Sequence, residues 1–232
     1  MSFKRSQVSL AQIASTYTLR ADAKHFASDF VGRDGATRSA PHFELGDFLP
    51  TPFAKGIQPS YLDLPGDDTV PVVNTLSVQR LVIRESDCRH ISRDDFDALD
   101  PERHLRVNDV LLTVDGGVSI GKAALFDKKA DFTVDSHVCI LRPVGLEPLS
   151  LVYLLASPLG QYQFKRAESG ASGQTAVTEE DIRRFIFPSS ILARLDEVVG
   201  HIEAERTVIA DERRLLVERE AAAWSKLDEL AQ

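Results

Sequence analysis

Residues 104–126 read HLRVNDVLLTVDGGVSIGKAALF, and two incompatible folds compete for them. Gly116 to Lys122 fit the G-x-x-x-x-G-K frame of a phosphate-binding loop, which needs Ser or Thr next to hold magnesium. That position is Ala123, and the following AALF, closed by Asp127, is a strand-like run. A phosphate site of this kind needs the N-terminus of a helix there. The stretch is therefore a glycine-rich turn joining the strand NDVLLTV (108–114) to the strand KAALF (122–126), with Gly116, Gly117 and Gly121 as backbone devices. Nucleotide hydrolysis is set aside on the same ground.

Outward from this hairpin the pattern stays β-rich. VPVVNTL (70–76), QRLVI (79–83) and HVCILRP (137–143) are short apolar runs separated by Gly, Asp, Asn and Pro. Two helical segments interrupt them. SRDDFDALDP (92–101) opens on a Ser that can cap and stops at a proline, and PLSLVYLLASPLGQYQFKRAES (148–169) has helical spacing with Pro158 breaking or restarting it. Upstream, residues 5–30 are helix-compatible and GRDGATRSAP (32–41) reads as a linker or long loop.

Beyond Pro188 there is no proline and one glycine, Gly200. Ser189 or Ser190 can cap a helix, and from Ile191 onward the residues are mostly strong helix formers. Leu195, Ile202, Ile209, Leu216, Ala223 and Leu230 recur every seven residues, which makes one apolar seam. Glu205, Glu212 and Arg219, three residues after seam positions, depart from a regular two-stranded zipper. About 40 residues at ~1.5 Å each predict a rod of roughly 60 Å, whose seam needs a partner. The fold class expected is α+β: an N-terminal helical segment and linker (1–41), a mixed, β-rich domain (42–188) and one long coiled-coil-like helix (189–232).

The 232 residues carry a net charge of −8. Residues 1–43 hold +3, residues 44–186 hold −7 and residues 187–232 hold −4. A protein gripping DNA alone shows a basic footprint, because phosphate neutralisation supplies most of the affinity. Either this chain does not bind DNA, or a partner supplies much of the phosphate contact. No apolar run approaches the ~20 residues of a membrane span, and the N-terminus has no secretory pattern. Cys88 and Cys139 stand far apart without CxxC, which fits a reducing cytoplasm.

The chemistry-bearing motifs are missing. The six histidines form no HxH or HExxH set. Asp94, Asp95, Asp97 and Asp100 lack the glycine and terminal Glu of a calcium loop. There is no G-x-S-x-G, and no Pro-Pro, so no amino-methyltransferase signature. The expectation is a protein without its own active site, cofactor or metal.

Several phrases, in order, resemble the specificity (S) subunits of type I restriction-modification enzymes. FELGDFLPTPFAKGIQPS (43–60) looks like the opening of a target-recognition domain, with Leu45, Asp47, Lys55 and Gly56 in place. DTVPVVNTLSVQ (68–79), the hairpin of 104–126 with Asp109 at its start, and DSHVCILRP (135–143) are similar to the strands that follow. YLLASPLGQYQFKRAESGASGQTAVTEEDIRRFIFP (153–188) matches helix, loop and exit strand, and the rod corresponds to the family's helical spacer. TLRADAKHF (18–26) also looks like a phrase of such subunits. The usual member has two recognition domains and two spacers, and this chain has one of each. It resembles a half-length S subunit, or a free-standing relative of a recognition domain in a larger methyltransferase.

The resemblance implies double-stranded DNA and a methyltransferase (M) subunit as partners, with a restriction (R) subunit where the system restricts. It gives polar loops a purpose as base readers: Asn74, Ser77 and Gln79 in one, Ser172 and Gln174 in another. Lys55, Arg80, Arg84 and Lys122 are candidates for phosphates or guanine edges, against the plainer reading of solvated surface residues. Leu195, Ile202, Ile209, Leu216 and Leu230 are candidates for a homodimer seam or for docking on the methyltransferase. The competing reading is a protein-binding module or decoy of the same fold, which occupies methyltransferase subunits without reading DNA.

Overall fold

The computed structural model describes residues 7–14, 22, 25–63, 65–169 and 175–229. Helices α1 (Leu10–Ala14) and α2 (Ser28–Arg38) come first, then strands β1 (His42–Glu44), β2 (Ala54–Lys55) and β3 (Thr69–Val73). Next are β4 (Val78–Gln79), β5 (Val82–Ile83), β6 (Arg89–Ser92) and the short helix α3 (Arg93–Asp97). The central strands are β7 (Val110–Thr113), β8 (Ala123–Leu125), β9 (Thr133–Val134) and β10 (Val138–Leu141). Helices α4 (Pro148–Ala156), α5 (Pro158–Ala167) and α6 (Glu179–Arg183) precede β11 (Ile186–Pro188) and the long α7 (Leu195–Glu229). Two compact units result, Met1–Ile191 and Leu192–Gln232, and the fold is α+β as expected.

Within the first unit the decisive hairpin is β7–β8, antiparallel, with Leu112 opposite Ala123. It belongs to a four-stranded sheet in the order β2-β10-β7-β8. Every residue of β7 and β10 is buried, which explains their unbroken apolar runs: α4 lies against β7 and β8, and the core fills the other side. A second sheet, β6-β3-β9, pairs β3 with β9 in parallel. Val73, Val78, Leu111, Phe126, Phe132, Val134, Val138 and Ile140 belong to one core cluster. Each fully buried large side chain in it contributes roughly 1.5–3 kcal/mol to stability. β1 pairs antiparallel with β11, so residues 42–44 and 186–188 close the β-rich part on itself.

A buried ion pair fixes the entry to the central hairpin. Asp109 is 3% exposed and accepts from Arg142 Nε at 2.7 Å and Nη2 at 3.1 Å. The backbone N–H of Arg106 also donates to it, at 2.8 Å. This cradles the turn in which Asn108 takes a positive φ of 76°, and it ties the start of β7 to the end of β10.

Local signals hold where chemistry dictates them. Ser92 caps α3 by accepting from the N–H of Asp95, and Ser157 and Pro158 end α4 and restart α5. Three expectations need correction. QRLVI is not one strand but the end of β4, a turn at Arg80 and Leu81, and β5; Leu81 takes φ 67° while its N–H donates to Ala123 O at 2.8 Å. Residues 32–38 are the body of α2 and not a linker. Gly32 and Gly35 weaken that helix by about 1 kcal/mol each relative to Ala. Docking offsets this: Phe30 stacks edge-on against Tyr162 (4.7 Å between centroids), and Asp34 pairs with Arg166 at 2.9 Å and with Arg38 at 3.0 Å. Finally, Ser189–Arg194 form a 3-10 turn, so the long helix begins at Leu195.

In the second unit, α7 runs for 35 residues, about 50 Å. Ile202, Ile209 and Leu216 on its seam are 37%, 44% and 61% exposed. Ion pairs within the helix include half-buried Arg206 with Glu203 at 3.4 Å and exposed Arg214 with Asp211 at 3.1 Å. No helix among the described residues is long and apolar enough to cross a membrane.

Candidate nucleic-acid interface

One end of the first unit gathers two tight turns and a charged cluster. The first turn is Asn74–Ser77, between β3 and β4. The Asn74 Oδ1 accepts from the N–H groups of Leu76 (2.8 Å) and Ser77 (3.1 Å), and its Nδ2 donates to Asp87 O at 3.0 Å. The Ser77 hydroxyl accepts from the Asn74 N–H at 2.7 Å and donates to Asn74 O at 3.0 Å. Both residues are buried, and their hydrogen bonds serve the turn. Asn74 and Ser77, expected as base readers, shape this turn. They hold the tip, and Leu76 stands at it, 68% exposed.

The second turn links β7 and β8. Gly116 and Gly117 have φ of 91° and 60°, a left-handed pair that side chains resist. Ser119 N–H donates to Gly116 O and Ile120 N–H to Gly117 O, closing a 3-10 turn whose tip, Val118, is 98% exposed. Gly121, at φ 81°, lies so near the Phe164 ring that an added Cβ would sit 2.8 Å from a ring carbon. The Gln161 Nε2 donates to Gly121 O at 2.8 Å, so α5 buttresses the turn. The two turns are neighbours: a Cβ at Gly116 would lie 3.8 Å from the Thr75 methyl.

Charge collects beside them. Asp115 lies 3.7 Å from Lys55 Nζ and hydrogen-bonds His137 Nδ1. The register explains the meeting, since Thr113 faces Val138 and the N–H of Val114 donates to His137 O at 3.1 Å. Asp135 accepts from the His137 N–H at 2.9 Å, and burial raises its carboxyl above the ordinary range. Asp115 also bridges to Ala176, which pairs with Ser169.

The remaining candidates divide. Lys122 is half-buried at the foot of the second turn and has no ion-pair partner among the described residues. Arg84 is 63% exposed, 4.0 Å from Asp87. Arg80 donates to Ala156 O at 2.7 Å, tying the turn after β4 to the end of α4, and Gln79 Nε2 donates to Leu76 O at 2.6 Å, bracing the first turn. Ser172, Gln174 and Leu230 lie outside the described residues, as does most of TLRADAKHF. Reasoning from the sequence missed Asp115, His137, Leu76 and Val118. The first two meet only through strand register, and the others carry no residue-type signal of a site.

No group of His, Cys, Asp and Glu among the described residues is arranged to hold a metal ion. No family model matches the chain, and no curated protein matches it by sequence. Solved structures do match. A chain from a structure on the complex assembly and conformational transition of the type I R-M system superposes with TM-score 0.50 at 17% identity. That match covers 91% of this chain and 52% of the other. The HsdS subunit from Thermoanaerobacter tengcongensis matches with TM-score 0.50 at 18% identity, over 76% of this chain and 44% of that one. The likeness is one of fold, and this chain spans about half the length of the chains it matches.

Proposed function

We propose that this chain is a non-catalytic DNA-recognition subunit that directs a partner methyltransferase, and in restricting systems a nuclease, to a short sequence. The observation that carries the reading is the fold likeness to chains of type I R-M systems, one of which runs over 91% of this chain. Residues 42–188 serve as the recognition domain and residues 189–232 as spacer. The end with the two turns faces the duplex, Lys55 and Lys122 meeting phosphates and Gln79, Arg80 and Arg84 lying at the edge of the contact. A methyltransferase subunit supplies the rest of the phosphate grip, which reconciles DNA reading with a net charge of −8. One recognition domain reads half of a two-part site, so a second copy, joined through Ile202, Ile209 and Leu216 as a coiled coil, completes it. The setting is the cytoplasm of a microbe, in defence against phage.

The test is a mobility shift of duplexes carrying a randomised stretch, with the methyltransferase subunit present. Enrichment of a short motif, with affinity falling as salt rises, is the expected result. Lys55→Ala and Lys122→Ala should each weaken binding to all sequences and lower the salt slope by about one. The acidic charge and the pairing of Lys55 with Asp115 favour a second reading, a decoy that binds methyltransferase subunits without DNA. Stable association with that subunit and no motif in the shifted duplexes would select it.

A further inference from the structure

We propose that Leu76 and Val118 form an apolar reading edge that meets thymine methyl groups in the major groove. The inference rests on the reading of this end as the DNA-facing one. Val118 is 98% exposed and Leu76 68%, and each is the tip of a turn locked by its own hydrogen bonds. Neither turn needs an apolar tip. The Asn74–Ser77 lock uses only the backbone of Leu76, and the second turn is set by Gly116 and Gly117 at positive φ. The turns that carry them are neighbours, since a Cβ at Gly116 would lie 3.8 Å from the Thr75 methyl.

Apolar side chains carried on hydrogen-bonded turns come with little backbone entropy left to lose on contact, which suits reading better than a loose loop does. The thymine C5-methyl is the apolar feature that the major groove presents. A cation at the foot of this edge favours a phosphate-bearing partner over an apolar protein face. Lys122, without an ion-pair partner among the described residues, stands at the foot of one turn, while Lys55 and His137 are engaged by Asp115, with Asp135 beside them. Polar side chains on neighbouring loops can discriminate the remaining bases, while this edge selects thymine.

The experiment uses the full chain with the methyltransferase subunit present, and duplexes selected from a randomised pool. Each thymine of the selected site is replaced in turn by deoxyuridine, which lacks only the methyl. At one or two positions the parent should bind about fourfold more weakly, the equivalent of one buried methyl. Val118→Ala or Leu76→Ala should lose most of that discrimination while keeping the parent's melting temperature. Val118→Thr, which keeps the shape and loses one methyl, provides a second variant. A selective parent indifferent to every methyl, or a penalty that persists in both alanine variants, overturns this inference alone. A parent that selects no motif overturns the recognition reading and this inference with it.

Discussion

Asp109→Ala should remove the joint that holds β7 to β10. The carboxylate is 3% exposed and accepts two hydrogen bonds from Arg142 and one from the Arg106 backbone. Breaking a buried pair by removing one partner costs about 3–5 kcal/mol when the other charge is left uncompensated. Arg142 is not left so. Its side chain is 22% exposed, and it keeps the Glu102 carboxylate together with the carbonyls of Glu102 (3.2 Å) and His104 (3.3 Å). The expected loss therefore falls below that range, at about 2–3 kcal/mol. At roughly 2–4 °C per kcal/mol for a chain of this size, the melting temperature should fall by about 5–10 °C. Urea denaturation of the parent, Asp109→Ala, Arg142→Met and the double variant would give the cost and a coupling of about 1–2 kcal/mol. A single-variant loss below about 0.5 kcal/mol, or no coupling, would refute the idea that this pair anchors the hairpin.

Burial pushes the Cys139 thiol up to about 12, so a thiol reagent at mild alkaline pH should label Cys139 only after denaturant unfolds the chain. Burial also raises the Asp135 carboxyl, so the folded state holds that proton more tightly than the unfolded chain. Its charging costs stability at neutral pH and costs nothing once pH falls below the ordinary carboxylate range. Asp135→Asn should thus be more stable than the parent near neutral pH, with the gain shrinking as pH drops; a gain that grows in acid would contradict the assignment. Ile202→Asp with Ile209→Asp should abolish self-association or methyltransferase docking in sedimentation, with the circular dichroism of residues 42–188 intact. A parent that sediments as a monomer and ignores the methyltransferase would sink the spacer reading.

Elements set by local chemistry were legible from the residues alone. The Gly116–Lys122 turn, the Ser92 cap and the break at Pro158 each rest on a conformation that few other residues adopt. The rod was legible because a seven-residue apolar period has no other reading. What escaped depended on tertiary context. α2 forms through Gly32 and Gly35 because Tyr162 and Arg166, over 120 residues away, hold it. The chain reverses at Leu81 because a left-handed backbone is supported by a bond to Ala123. At the candidate interface the polar residues Asn74 and Ser77 attracted attention by type, yet a turn uses them up. The apolar Leu76 beside them drew none and is the residue the turn presents. Residue type suggests a contact, and only backbone geometry decides which side chain is left to make it.

The most direct measurement is a methylation map. A methyltransferase subunit lacking its own recognition domain is expressed in cells with and without this chain, and methylated bases are located across the genome. A short recurring motif, methylated only when the chain is present and altered by Lys122→Ala with Val118→Ala, is the predicted result. Methylation that is absent in both cases, or identical with and without the chain, would contradict its role as the subunit that reads DNA.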